Sequence, residues 1–201
     1  MALAQFGLVT LTFQKLGLSP HSAFTLLFSS LLGSMVNVPL FSVRSHAPPA
    51  QIDTRLYGWL RRSRLIIPGR TVIAVNLGGC LIPLTFSLYL YTHTTLGFAQ
   101  TGLATAIVAA VSYWFSRPVH GIGIGMPALV APLTAALTAM TLGGENSAPL
   151  AYICGSLGVV IGADLMRLKD VQMFGVPVAS IGGAGTFDGI FLTGLLAVLL
   201  T

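Results

Sequence analysis

Two carboxylates stand inside strongly apolar stretches of this chain. Asp164 lies one helical turn before Arg167, and Asp188 precedes the apolar segment that ends at Thr201. A charge at the centre of a membrane helix costs about 2.5–3.5 kcal/mol on insertion scales, so such carboxylates often mark ion or proton sites. Two carboxylates that share a proton can instead activate water for hydrolysis. The structural alternatives are an ion pair between Asp164 and Arg167 and a helix cap at Asp188.

Two glycine-rich breaks accompany these carboxylates, one at residues 76–79 and one at residues 182–185. Broken helices expose backbone amides and carbonyls, which bind ions or substrates in transporters. A kink packed against a neighbouring helix is the alternative at the first break. We therefore expect a ligand-binding site that draws on both breaks and both carboxylates, formed by Asn76, Gly78, Gly79, Asp164, Gly183, Gly185, Thr186 and Asp188.

The composition indicates the kind of fold that must position these groups. Of 201 residues, 54% are apolar and 7% are charged, against about 25% charged in soluble domains. The mean hydropathy is +0.86. These values exclude a soluble enzyme, a nucleic-acid-binding protein and a disordered chain. They predict an all-α, polytopic transmembrane bundle in a single domain over residues 1–201, with the lipid bilayer as its surroundings.

A membrane helix needs about 20 apolar residues, and this rule gives about six spans, with broken helices near Gly78-Gly79 and Gly182-Gly185. The N-terminal run 1–16 is marginal in length and carries no signal-peptide pattern. The expected spans are residues 22–43, 71–91, 97–115, 121–142, 148–166 and 176–201.

The cations predict the orientation of these spans. If the basic loop 44–70 is cytoplasmic, alternation of the spans places nine of the ten cations on one face, as the positive-inside rule expects. We therefore expect a multi-pass protein of the cell inner membrane with its C-terminus outside. The net charge of +5 is then explained by orientation, and no nucleic-acid partner is expected.

Glycines at helical spacing predict close helix packing. Gly158 and Gly162 form a G-x-x-x-G pair, with Gly155 one turn earlier. We expect this seam to contact the segment that carries Asp188, and glycine-rich faces of this kind could also dock a second copy or another membrane subunit. Cys80 and Cys154 are expected to be core thiols. No cofactor and no metal site are expected, because no His or Cys cluster has the spacing of metal ligands.

Three runs carry a resemblance to a known family: residues 74–79, 162–165 and 179–191. Together they resemble a prokaryotic integral membrane family catalogued as domain of unknown function sixteen-fourteen, over roughly residue 17 to the end. The resemblance implies a membrane protein but supplies no activity.

The two aspartates, with the run at 127–129, are more loosely similar to presenilin-type and prepilin-type intramembrane aspartyl proteases. That resemblance implies a catalytic dyad of Asp164 and Asp188. The chain departs from the pattern at three places: two residues separate Gly185 from Asp188, no Tyr precedes Asp164, and the Pro-Ala-Leu run comes before both aspartates.

The leading hypothesis is an intramembrane carboxylate site that binds or transports an ion, a proton or a small polar solute. An aspartyl hydrolase that uses Asp164 and Asp188 is the first alternative. A non-catalytic membrane assembly or docking protein is the second.

Overall fold

The computed structural model describes residues 11–45, 69–119, 123–173, 175–183 and 189–201. Within these residues the chain is mostly helical and also contains two small sheets. Residues 11–15 are helical, and the α-helices with both ends described are α1 (Pro20–Gly33), α2 (Ile82–Thr92), α3 (Phe98–Phe115), α4 (Val130–Leu142), α5 (Ser147–Val159) and α6 (Gly189–Leu200). The strands are β1 (Asn37–Arg44), β2 (Arg70–Asn76), β3 (Arg117–Val119), β4 (Gly123–Gly125) and β5 (Val178–Ile181).

Two of these helices are extended by irregular helical turns. A π-helical stretch at Leu77–Leu81 leads from β2 into α2, and a second at Val160–Leu165 continues α5. Short 3-10 turns at Gly144–Asn146 and Leu168–Met173 stand before α5 and after its π-helical end. π-helical turns are rare and occur frequently at functional sites, so these two stretches are candidate positions for a site.

Helix α5 lies at the centre of the bundle, where α2, α3, α4 and α6 pack around it. Tyr152 of α5 is fully buried and meets Phe86 of α2 edge-on, with the ring centroids 4.9 Å apart. Close approach depends on glycine, since a Cβ at Gly158 would lie 2.6 Å from Val108 and one at Gly162 would clash with the carbonyl oxygen of Ala109. The predicted seam is therefore confirmed, and its partner at Gly158 and Gly162 is α3, not the segment that carries Asp188. At Gly155, one turn earlier, a Cβ would lie 3.4 Å from Thr193 and 3.7 Å from Gly194 of α6, so the expected contact with that segment is confirmed there.

A three-stranded sheet lies where the sequence predicts helices. Strand β2 pairs antiparallel with β1, from Asn37 opposite Asn76 to Arg44 opposite Arg70, and parallel with β5. The β-branched residues of β2 favour a strand, and Pro39 fits the edge strand β1 because it has no N–H to donate. A buried strand and a membrane helix have equally high hydropathy, so hydropathy alone does not distinguish a strand from a helix in these segments.

The number of spans is the main correction to the sequence prediction. Among the described residues, two helices are long and apolar enough to cross a membrane, Phe98–Phe115 and Gly144–Leu165, instead of six. These two match the predicted spans 97–115 and 148–166. Three others, 22–43, 71–91 and 176–201, each divide into a strand and a helix, and 121–142 divides at its glycines and Pro127 into β4 and α4.

Candidate functional site

Asn76 ends β2 and is fully buried. Its Oδ1 accepts the backbone N–H of Gly79 at 2.7 Å, which caps the π-helical turn. Its Nδ2 donates to the carbonyl oxygen of Ser34 at 2.6 Å and to Oδ1 of Asn37 at 3.1 Å. The side-chain oxygen and nitrogen of Asn76 therefore both form hydrogen bonds within the protein. These bonds connect the end of β2 to the start of β1 and to the residue that follows α1.

Gly78 and Gly79 are present because backbone from two other segments passes close to them. A Cβ at Gly78 would clash with the carbonyl oxygen of Ser30 and the backbone nitrogen of Ser34, and the Ser30 hydroxyl donates to the Gly78 carbonyl at 2.7 Å. A Cβ at Gly79 would clash with the carbonyl oxygen of Gly182. The two glycine-rich breaks that the sequence indicates thus meet in space at Gly79 and Gly182.

Asp164 reaches the same place from the π-helical end of α5. It is partly exposed, and its Oδ2 accepts the backbone N–H of Gly182 at 3.3 Å. Gly182 and Gly183 have φ angles of 83° and 84°, in the left-handed region that favours glycine. The positive φ therefore lets the chain turn after β5 and present its amide to the carboxylate.

Two polar residues of this cluster were missed by sequence reasoning. The Ser180 hydroxyl donates to Oδ1 of Asn37 at 2.5 Å, so Asn37 accepts from Ser180 and Asn76 together. One signal was available for Asn37: it is a polar residue two positions before Pro39, a pattern that disfavours continuation of a helix. Ser180 carried no signal, because a serine in an apolar run has many structural uses.

Arg167, the alternative partner of Asp164, is engaged elsewhere. It forms an ion pair with Asp170 at 3.1 Å and lies over the ring of Tyr113, 4.3 Å from the centroid. Its guanidinium also donates to the carbonyl oxygens of Tyr113 and Ser116 at 2.9 and 2.8 Å. The arginine fastens the loop after α5 to the C-terminal end of α3.

The remaining predicted site residues divide into two groups. Gly183 is described and follows directly on the turn at Gly182. Gly185, Thr186 and Asp188 lie outside the described residues. The described part of the site therefore brings together Asn76, Gly78, Gly79, Asp164 and Gly183 around the turn at Gly182, and it presents one carboxylate. The Asp164 carboxylate is the group of this cluster that could take up a proton or bind a hard cation.

The expected core thiols are confirmed, since the thiols of Cys80 and Cys154 are both buried. Cys80 borders the site, because a Cβ at Gly182 would lie 2.6 Å from the Cβ of Cys80. The cysteine therefore helps to form the floor on which the Gly182 turn packs.

Comparison with known proteins gives one match. No curated protein and no solved structure matches the chain. The likeness to intramembrane aspartyl proteases is therefore not shown. The family described as "Protein of unknown function (DUF1614)" matches residues 31–200, which include every described residue of the site. The chain belongs to this DUF1614 family.

Proposed function

We propose that this protein is a membrane protein in which Asp164 binds a proton, an ion or a small cationic or polar solute and takes part in its transport. The observation that carries the proposal is the convergence of two π-helical stretches on one turn. Leu77–Leu81 contacts that turn through Gly79, and Val160–Leu165 contacts it through Asp164. Irregular backbone of this kind supplies amides and carbonyls to ligands in transporters.

The setting of Asp164 supports a role for its charge. The residue belongs to the apolar helical unit Gly144–Leu165, which is one of the two candidate spans. Asp164 lies one residue before the end of this unit, and intramembrane carboxylates mark ion and proton paths in pumps and transporters. Asp188 is proposed as the second carboxylate of the site, on the sequence alone.

Membrane orientation forms part of the proposal. Arg167 and Lys169 follow the π-helical stretch that continues α5, and this end of the helical unit faces the cytoplasm together with Arg117. Residues 44–70 form a basic cytoplasmic loop. The described contacts support this grouping, because Arg167 binds the end of α3 from which Arg117 follows. In this orientation α3 and α5 run in the same direction, so the shorter apolar helix α4 returns the chain across the bilayer, and α6 crosses to leave the C-terminus outside. Asp164 lies in the cytoplasmic part of the bilayer.

Flux through reconstituted vesicles tests the proposal. Proton entry is followed with a trapped pH-sensitive dye, and cation entry with radioactive sodium and rubidium, in vesicles that contain the wild-type protein, Asp164→Asn or Asp170→Asn. Asp170 is the matched control, because it is a carboxylate close to Asp164 in the chain that has an ion-pair partner in Arg167. We expect Asp164→Asn to reduce flux to the level of protein-free vesicles and Asp170→Asn to leave it near the wild-type level.

Two results would contradict the proposal. The first, which concerns the proton and the alkali cations, is a wild-type flux no greater than that of empty vesicles. The second is a wild-type flux that Asp164→Asn leaves unchanged. The hydrolase alternative predicts neither flux nor its loss, and instead requires Asp188 beside Asp164.

A further inference from the structure

A surface cavity of about 390 Å³ lies at the C-terminal end of α3, and its lining shares no residue with the Asp164 site. One wall is the last turn of α3 and the start of β3, and the other is β4 with the residues that follow it. Its lining includes Trp114, Phe115, Arg117, Val119, Met126 and Pro127.

Arg117 supplies the charge of this cavity. Its side chain is exposed, and no described residue forms a hydrogen bond, an ion pair or a ring contact with its guanidinium. The contrast with Arg167 is direct, since that guanidinium binds Asp170, Ser116 and the Tyr113 ring. An arginine in this state offers a planar set of N–H donors that matches a phosphate group.

The aromatic residues beside Arg117 are exposed to an unusual degree. Trp114 is 79% exposed and Phe115 is 47% exposed. They end α3, a candidate span in which 28% of the residues are buried inside the protein, against 78% in the equivalent stretch of Gly144–Leu165. Tryptophan is enriched at the level of lipid headgroups, and α3 is the span with most of its surface free to contact lipid.

We propose that this cavity binds the headgroup of an anionic phospholipid, with Arg117 on the phosphate and Trp114 at the boundary between headgroup and acyl chain. The complementarity of charge carries the choice of ligand: a guanidinium that has no partner among the described residues and an indole stand together at the end of a lipid-facing helix. Basic pockets at the cytoplasmic ends of membrane helices bind anionic headgroups in this way. The proposal rests on the membrane placement of α3 and is independent of the chemistry of Asp164.

Fluorescence of Trp114 tests the proposal on the full-length chain. The sequence has two tryptophans, and Trp59→Phe leaves Trp114 as the only indole. The protein is purified in detergent and titrated with phosphatidylglycerol or phosphatidylcholine brominated on the acyl chains near the headgroup, because bromine quenches a nearby indole. We expect phosphatidylglycerol to quench at several-fold lower concentration than phosphatidylcholine.

Two variants distinguish binding of the lipid in this cavity from non-specific electrostatic attraction of an anionic lipid to a basic surface. Arg117→Gln should abolish the preference for phosphatidylglycerol, and Lys169→Gln, an exposed cation outside the cavity, should retain it. The melting temperature of each variant verifies that it is folded. Equal quenching by both lipids would overturn the proposal, as would a preference that survives Arg117→Gln or is lost in Lys169→Gln. Relief of the quenching by millimolar inorganic phosphate would show that the site takes free phosphate instead of a lipid.

Discussion

The backbone N–H of Gly182 donates a hydrogen bond to Oδ2 of Asp164 at 3.3 Å. This contact joins the turn after β5 to the π-helical end of α5, two segments that lie on different sides of the 3-10 turn Leu168–Met173. Because the same turn packs on Gly79, a change of charge at Asp164 acts directly on the place where both π-helical stretches meet.

The hydrogen bond to Gly182 needs an oxygen acceptor but no charge. Two substitutions at Asp164 can therefore distinguish its structural role, which is this hydrogen bond, from the role of its negative charge in transport. Asp164→Asn retains a side-chain oxygen, whereas Asp164→Ala removes it. We expect Asp164→Ala to lower the free energy of unfolding by about 1 kcal/mol and Asp164→Asn to have a smaller effect. Melting temperatures in detergent measure this difference. If Asp164→Asn proves as destabilising as Asp164→Ala, the negative charge itself stabilises the fold, and the flux assay needs a temperature at which both proteins are folded.

Asn76 is expected to be the most sensitive polar residue of the cluster. Asn76→Ala leaves the Gly79 N–H and the Ser34 carbonyl without their side-chain partner in a buried place. An unsatisfied buried group costs about 1–3 kcal/mol, so we expect a loss of about 3 kcal/mol in the free energy of unfolding. Asn146→Ala is the control, because the Asn146 side chain bonds to Thr95 at an exposed position. Equal shifts in melting temperature for the two variants would show that Asn76 is not a structural anchor.

The seam between α5 and α3 gives a prediction about helix packing. Gly162→Ala places a methyl group against the carbonyl of Ala109, and the backbone there cannot move away without separating the two helices. We expect a loss of about 1–3 kcal/mol, the usual cost of overpacking. At Gly102, on the exposed face of α3, a Cβ meets nothing within 4 Å. Gly102→Ala should therefore stabilise the helix by about 0.5–1 kcal/mol. Opposite shifts in melting temperature for the two substitutions would support this packing, and shifts of the same sign would contradict it.

Four of the residues that the sequence singles out, Asn76, Gly78, Gly79 and Asp164, lie close together in the structure. Strongly polar side chains are rare in so apolar a chain, which is why the sequence points to Asn76 and Asp164; that these residues bind a ligand stays a prediction. The strands were missed because apolar runs near 20 residues satisfy the length rule for a membrane helix whether or not they divide internally. Thr71, Val72 and Ile73 carried a strand signal, but their register depends on β1 and β5, which come from distant parts of the chain.

Orientation in the membrane can be tested at the two ends of the helical unit Gly144–Leu165. At about 1.5 Å per residue, its 22 residues span about 33 Å, close to the thickness of the hydrocarbon core. Glu145 and Lys169 are exposed at its opposite ends. The native cysteines provide a low background, because both are buried. We expect a membrane-impermeant maleimide to label Glu145→Cys on intact spheroplasts and to label Lys169→Cys only after the membrane is opened. Labelling of both cysteines on intact spheroplasts would mean that this unit does not cross the bilayer. The reverse pattern would place Arg117, Arg167 and Lys169 outside, contrary to the positive-inside rule.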